Sequence, residues 1–303
     1  MRIWKSAFAS LLSVLCIAAV VGCGSSSSSS TGGGSSSSTP TSSAADPAVA
    51  KLVPGAIKSK GTLTVAADAS YAPNEFIGPD GKTVIGMDAD LVKALGGLMG
   101  LKVNVGNVTF DSIIPGLASG KYDVGISSFT DTKLREKTVD FVDYFSAGES
   151  FYTKASGGPS VSTLADLCGH TVAVEKGTTE QTDASSQSAK CTKAGKSGVT
   201  VLVFPDQNGA NLALSSGRAQ IGFADSPVAL YAVKKTSGQF KLVGQTFATA
   251  PYGIAVPKNN GLTKPILAAL EKLMASGKYK AILTQWGVQA GAITKPAING
   301  ATS

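Results

Sequence analysis

Histidine is nearly missing from this chain: His170 is the only one, and no two of the four cysteines stand at the short spacing a zinc site uses. A metal centre of that kind has no support, and no cofactor is expected. Charge is sparse as well. Asp, Glu, Lys and Arg make up 16% of the residues, and although the formal net charge is +7, no basic run is longer than Lys234-Lys235. Lysines scattered in this way do not build the stripe that nucleic acid requires, so no nucleic-acid partner is expected. Beyond the N-terminal segment no apolar stretch approaches the roughly 18 residues that suggest a membrane span.

Residues 1–22 combine a charged start, Arg2 and Lys5, with an apolar run through Leu11, Leu12, Val14, Leu15 and Ile17 to Val21. This reads as a secretory signal. It ends in Val20-Val21-Gly22-Cys23, which resembles the bacterial lipobox. The resemblance implies that Cys23 is diacylated and becomes the mature N-terminus, anchoring the protein to the outer face of the cell membrane, or in the periplasm if the cell has an outer membrane. The alternative is an ordinary signal peptide with an incidental cysteine. Residues 24–43 are nearly all serine and glycine, a composition that buries no apolar surface and makes sense as a tether; about 20 such residues span roughly 25 Å. The linker is expected to run from Cys23 to residue 52. With Cys16 lost and Cys23 lipidated, Cys168 and Cys191 are the remaining pair in an oxidising compartment, and a disulfide between them is predicted.

From residue 53 to 288 short β-rich runs alternate with helical patterns, which argues for α/β lobes with largely parallel sheets and enough chain for two of them. Strands are predicted over 62–67, 102–105 and 124–127, with helices over 88–98 and 111–118. A second series has strands over 171–174, 199–203 and 221–224, with helices over 179–189, 208–215 and 226–233. A returning strand over 253–256 leads into helices over 262–275 and 278–286. Parallel sheets bind ligands beyond the carboxyl ends of their strands. Asp68, Ser127, Ser128, Gly177 and Asp225 all follow predicted strands.

The run Ser127-Ser128-Phe129-Thr130-Asp131-Thr132-Lys133-Leu134-Arg135 groups hydroxyls at a strand end and places an arginine where a helix is expected to begin. Arginine offers a planar fork to a carboxylate, and hydroxyls with strand-end carbonyls accept from an amine, so the run suits a small ligand carrying both groups. Each residue also has a plain alternative. Arg135 could pair with Asp131 on a solvated surface, Asp68 could cap a turn, and Tyr71 and Phe110 could be core aromatics. Thr178 and Thr179 after Gly177 could present a helix N-terminus to an anion or simply cap it. Asp225 before Ser226-Pro227 could be a helix cap, a role compatible with binding an amine.

Order and spacing decide between them. Asp68, Tyr71, Pro73, Phe76, Gly86-Met87-Asp88-Ala89-Asp90-Leu91, Phe110-Asp111, Ile114-Pro115, the 127–135 run, Gly177-Thr178-Thr179 and Asp225 follow one another. Gly253-Ile254-Ala255-Val256-Pro257 and Tyr279, Ile282, Leu283 and Trp286-Gly287 close the series. Over about residues 58–287 the chain resembles the extracellular solute-binding proteins of polar amino-acid ABC transporters, with Asn74 standing where the family more commonly has an aromatic. The resemblance implies a two-lobed periplasmic-binding-protein type II fold, α/β, with a ligand cleft between lobes joined by two crossings near 145–152 and 244–252. Lobe one would comprise 53–148 and 249–289, lobe two 149–248, and 290–303 a C-terminal tail.

The resemblance also implies roles. Arg135 and Thr179 would bind the ligand α-carboxylate from opposite lobes, and Ser127 and Thr178 are expected among the ligand-binding residues. Asp225, Thr130 and the carbonyl of Ser128 would take the α-ammonium. Tyr71 and Phe110 would sandwich the carbon skeleton, and Asp68 and Glu175 would reach the far end of the side chain. Two acids there favour a cation, while Glu175 facing solvent or Lys176 leaves a neutral polar side chain equally open. The implied partners are an amino acid, a permease and, through it, an ATPase, with the chain itself monomeric. Two other outputs share the fold and stay open: an enzyme, such as a dehydratase or a membrane-bound murein lyase, and a tethered sensor.

Overall fold

The computed structural model describes residues 45–302. The signal segment, Cys23 and the serine-rich stretch lie outside the described residues. Helix α1 (Pro47–Leu52) opens the described chain, with Asp46 accepting from the backbone N–H groups of Ala48 and Val49 at 2.9 and 3.1 Å and Pro47 in its first turn. Val49 and Val53 are buried in the first core. Residues 47–52, within the span expected as linker, thus form a capped turn with an apolar side, which packs where a serine-glycine run cannot.

The elements that follow are α2 (Gly55–Lys60), β1 (Thr62–Ala67), β2 (Ser70–Tyr71), β3 (Glu75–Ile77), β4 (Val84–Ile85), α3 (Met87–Leu98), β5 (Lys102–Asn107), α4 (Phe110–Ala118) and β6 (Val124–Gly125). The long strand β7 (Val139–Lys154) leads to β8 (Thr171–Glu175), α5 (Thr179–Lys193), β9 (Thr200–Phe204), α6 (Gln207–Ser215), β10 (Ile221–Asp225) and α7 (Ser226–Lys235). Strand β11 (Phe240–Pro257) returns, and α8 (Thr263–Ala275) and α9 (Lys278–Trp286) close the series.

The main sheet has eight strands in the order β5-β1-β6-β11-β7-β10-β8-β9. Parallel pairs β5-β1-β6 and β10-β8-β9 form its two ends. Between them β7 and β11 run antiparallel from Val139 opposite Pro257 to Lys154 opposite Phe240. Their register shifts between Val243 and Phe247, Phe247 and Ala250, and Tyr252 and Gly253, irregularities of the kind that bend and twist a ladder. The sequence predicts only 253–256 of this ribbon. Most of β7 is buried from end to end, so it lacks the alternation that marks a half-exposed strand.

Two cores underlie the two lobes. The first packs Leu91 and Leu95 of α3 and Leu270 and Leu273 of α8 on Leu63, Val65, Val142 and Ile254. The second gathers Phe151, Val172, Val174, Ile221 and Phe223 around Ala184 and Cys191 of α5. Cys168 and Cys191 form a disulfide with their Cα atoms 5.6 Å apart. Closing a loop of this length stabilises a fold by about 3 kcal/mol. Urea unfolding followed with and without reductant is expected to differ by about that amount.

The C-terminal residues dock on the body. Ile298 bridges Val142, and Phe141 donates its backbone N–H to the Asn299 side chain at 2.8 Å. The backbone N–H groups of Gly300 and Ala301 reach Asp143 and Asp131, each at 3.1 Å. Burial pushes the Asp131 carboxyl up to about 6. Burial, and then Asp131 beside it, pushes Asp143 up to about 7. Acids whose folded pKa lies above the unfolded value near 3.9 leave the native state holding more protons between about pH 4 and 7, so stability falls as pH rises through that window. Melting temperature is expected to be higher at pH 5 than at pH 8, and Asp143→Asn is expected to flatten the profile.

Candidate ligand-binding site

The site starts where strands end. Asp68, just past β1, accepts from the backbone N–H groups of Ser70 and Phe110 at 3.1 and 2.9 Å, and its own N–H donates to the Ser127 hydroxyl at 2.9 Å. Ser127 and Ser128, past β6, donate to the two carboxylate oxygens of Glu75 at 3.1 and 3.2 Å. Asn74 donates to the Ser128 hydroxyl at 2.8 Å. Asp88 accepts from the Ser128 backbone N–H at 2.9 Å and from Tyr144 at 2.7 Å. Glu75 and Asp88 are completely buried. Burial, and then its neighbour Asp88, drives the Glu75 carboxyl well up, while burial moves Asp88 up to about 6. Asn74, Glu75 and Asp88 thus form a support behind the serines. Asn74 is part of that support and does not line the cavity.

Arg135 sits on a single 3-10 turn, Arg135–Lys137, where the sequence predicts the start of a helix. Its guanidinium lies 5.3 Å from the ring centre of Phe110 and 5.5 Å from that of Phe129. Those rings stack on one another at 4.5 Å. One Nη donates to the Thr130 carbonyl at 2.8 Å and the other to the Gly177 carbonyl, in the opposite lobe, at 3.0 Å. Asp131, the alternative partner of Arg135, is tied instead to Ala301.

In the second lobe Glu175 ends β8 and Gly177 turns with φ +84° before α5. Thr178 both caps α5, accepting from the Gln181 N–H at 3.1 Å, and faces the cavity. Asp225 occupies the cap position of α7 but makes no side-chain capping hydrogen bond. Its carboxylate accepts instead from the Tyr71 hydroxyl at 3.0 Å, and its N–H donates to that hydroxyl at 3.1 Å. Tyr71 therefore joins the lobes, as does the exposed ion pair Lys176–Asp111 at 2.8 Å.

Together these side chains line one cavity at the cleft, drawn in until little free space remains between them. Every residue that the sequence reading placed near a ligand lines it: Asp68, Tyr71, Phe110, Ser127, Ser128, Thr130, Arg135, Glu175, Thr178, Thr179 and Asp225. Glu180 lines it too. Nothing in the residue pattern points to this, because an acid in the first turn of a helix ordinarily complements the helix dipole from solvent. Arg135 is the one basic side chain in the lining, against Asp68, Glu175, Glu180 and Asp225. Burial pushes the Asp68 carboxyl up, and burial followed by the charge of Asp68 pushes Glu175 well up. Burial brings Asp225 up to about 6. Among the described residues no cluster of His, Cys, Asp and Glu is arranged to hold a metal ion, and no helix is long and apolar enough to cross a membrane.

Residues 63–289 match the family described as bacterial extracellular solute-binding proteins, family 3. The chain belongs to this family. The arginine-binding protein ArgT of Corynebacterium glutamicum is 35% identical over 254 residues, covering 84% of this chain and 83% of ArgT. A solved structure of an ancestral arginine-binding protein bound to arginine superposes with a TM-score of 0.69 at 39% identity, over 75% of this chain and 98% of the ancestral one. The ancestral amino acid-binding protein AncCDT-1, a precursor of cyclohexadienyl dehydratase, also gives 0.69, at 32% identity over 76% of this chain and 97% of its own. As a family-3 solute-binding protein the chain has a two-lobed α/β fold with the cavity between its lobes. Trp286 and Asp90, both in motifs that the sequence reading associated with the family, meet through an indole N–H donated at 2.9 Å.

Proposed function

We propose that the cavity binds an L-amino acid with a cationic side chain, arginine foremost, outside the cytoplasm, and delivers it to the permease of an ABC importer. The surplus of buried acid carries this reading. In the low-dielectric cleft one carboxylate suffices for the α-ammonium, and Arg135 takes the α-carboxylate with Thr179. Asp68 and Glu175 then remain as a second acidic pole with no basic partner in the lining, and Glu175 keeps one carboxylate oxygen without a hydrogen bond. A guanidinium or ammonium at that end offsets the cost of burying them. Tyr71 and Phe110 hold the carbon chain between the two poles. Because each lobe grips part of one molecule, the ligand favours the closed arrangement by differential contact.

The same reading assigns lobe one to 53–148 and 249–289 and lobe two to 149–248, with lipid on Cys23 holding a monomer at the membrane. It makes the protein a binder without turnover: Asp68, an acid that an elimination would call on, is engaged by two backbone N–H groups. No consumption of prephenate-like acids is expected.

Calorimetry on residues 45–303 against all amino acids, ornithine and citrulline tests the reading. L-Arginine is expected to bind with a Kd of about micromolar or tighter. In Glu175→Gln the preference for arginine over glutamine is expected to fall by about tenfold or more, the equivalent of about 1.4 kcal/mol. An unchanged ratio removes Glu175 from the side-chain pocket.

A further inference from the structure

Behind Asp225 lies a group of acids that the grip on an amino acid leaves unexplained. Asp225 and Glu149 are direct antiparallel neighbours between β10 and β7, so their side chains project on the same face of the sheet. Glu149 is 4% exposed and Glu180 1% exposed. Each has one carboxylate oxygen buried without a hydrogen-bond partner, and the other oxygen of Glu180 accepts from the Thr179 hydroxyl at 3.2 Å. The charge of Asp183, one turn further along α5, also acts on Glu149. The remaining titratable groups acting on the cluster are Tyr71 of β2, Glu175 of β8, Tyr152 of β7, Tyr252 of β11 and Arg135 of the 3-10 turn. Arg135 is the one cation among them.

Buried carboxyls that crowd one another cannot all ionise, because desolvation and mutual repulsion both favour the neutral acid. Burial, then Asp225 and Glu149, drives the Glu180 carboxyl well up. Burial, then Asp183 and Asp225, moves Glu149 up to about 8. The cluster is therefore partly protonated at neutral pH and titrates as a unit.

We infer that Asp225, Glu180 and Glu149 form a proton store coupled to the ligand site, which gives up a proton as the α-ammonium of an incoming amino acid docks on Asp225. The exchange is balanced: one carboxyl O–H bond breaks, the proton passes to solvent buffer, and the carboxylate left behind neutralises the arriving cation. Glu149 does not line the cavity and acts through Asp225, as a positioning residue. The inference rests on the amino-acid-binding reading given above.

Calorimetry of L-arginine binding in buffers of different ionisation enthalpy counts the protons. The unmodified protein is expected to release about half a proton or more per ligand at pH 7, so that Kd rises about threefold for each unit fall in pH. In Glu149→Gln and Glu180→Gln the proton count is expected to drop to less than half of that value. No release from the unmodified protein, or undiminished release in both variants, overturns the proposal; the second result places the proton at Asp68 and Glu175. Carbon-13 NMR of the carboxyl groups in the ligand-free protein supplies an arm independent of binding. Glu149 and Glu180 are expected to remain protonated at pH 6, and ionisation of both near the ordinary value of about 4.3 refutes the store. Failure of every amino acid to bind instead rejects the functional reading, and the NMR titration then decides the cluster on its own.

Discussion

Arg135→Ala is expected to weaken amino-acid binding by about a thousandfold, close to 4 kcal/mol. The guanidinium is held by two backbone carbonyls, Thr130 in its own lobe and Gly177 across the cleft, and rests against Phe110 and Phe129. The contacts within its own lobe, to the Thr130 carbonyl and the two rings, fix the fork before a ligand arrives, so little ordering entropy opposes its use. Removing it leaves an α-carboxylate in an acid-lined cavity with no countercharge. Arg135→Lys is expected to recover only part of the loss, because an ammonium keeps the charge without the planar fork. Calorimetry with L-arginine measures both. If the alanine variant binds within tenfold of the unmodified protein, the α-carboxylate does not meet Arg135.

Gly86→Ala is expected to destabilise the fold by about 3 kcal/mol and to lower the melting temperature by roughly 6–12 °C. Gly86 precedes α3 with φ +126° and ψ 179°, a conformation open essentially to glycine. A Cβ there would meet the backbone carbonyl oxygen of Asn74 at 2.2 Å. That carbonyl accepts from the Asp88 N–H at 2.9 Å. The disturbance therefore reaches Asn74, Glu75 and Asp88, which hold Ser127 and Ser128, and a loss of ligand affinity is expected alongside the loss of stability. Gly81→Ala is the comparison. Gly81 also has a positive φ, +70°, but nothing lies within 4 Å of its added Cβ, so only the left-handed strain of about 1 kcal/mol applies. Equal thermal unfolding of the two variants contradicts this account.

Local chemistry made the helices legible. Amphipathic runs such as Leu91, Leu95 and Leu98, and Leu262 to the 278–286 segment, report their own periodicity, and β1 emerges with the bounds read from sequence. The β7 and β11 ribbon was far less legible. Its strands meet across about a hundred intervening residues; β7, buried on both faces, shows no alternation to read, and the first part of β11 is largely exposed and lacks an apolar face. Helix α1 was hidden for a different reason: its short apolar side gains meaning only against the first core, which includes residues from α8.

The cavity divides along the same line. Asp68, the 127–135 run, Gly177 with its threonines, and Asp225 could be found from sequence because each sits at a strand end, and their order resembles that of the family. The sequence by itself therefore determined the lobe type and most of the polar residues that line the cleft. Only the tertiary structure decided what stands behind them. Asn74, Glu75 and Asp88 became a buried support, Tyr71 a link to Asp225, and Glu180 and Glu149 a shared reservoir of acid. The physical reason is that strand-end position and residue type are properties of a short stretch of chain. Burial and the mutual repulsion of carboxyls depend on which distant segments the fold brings together.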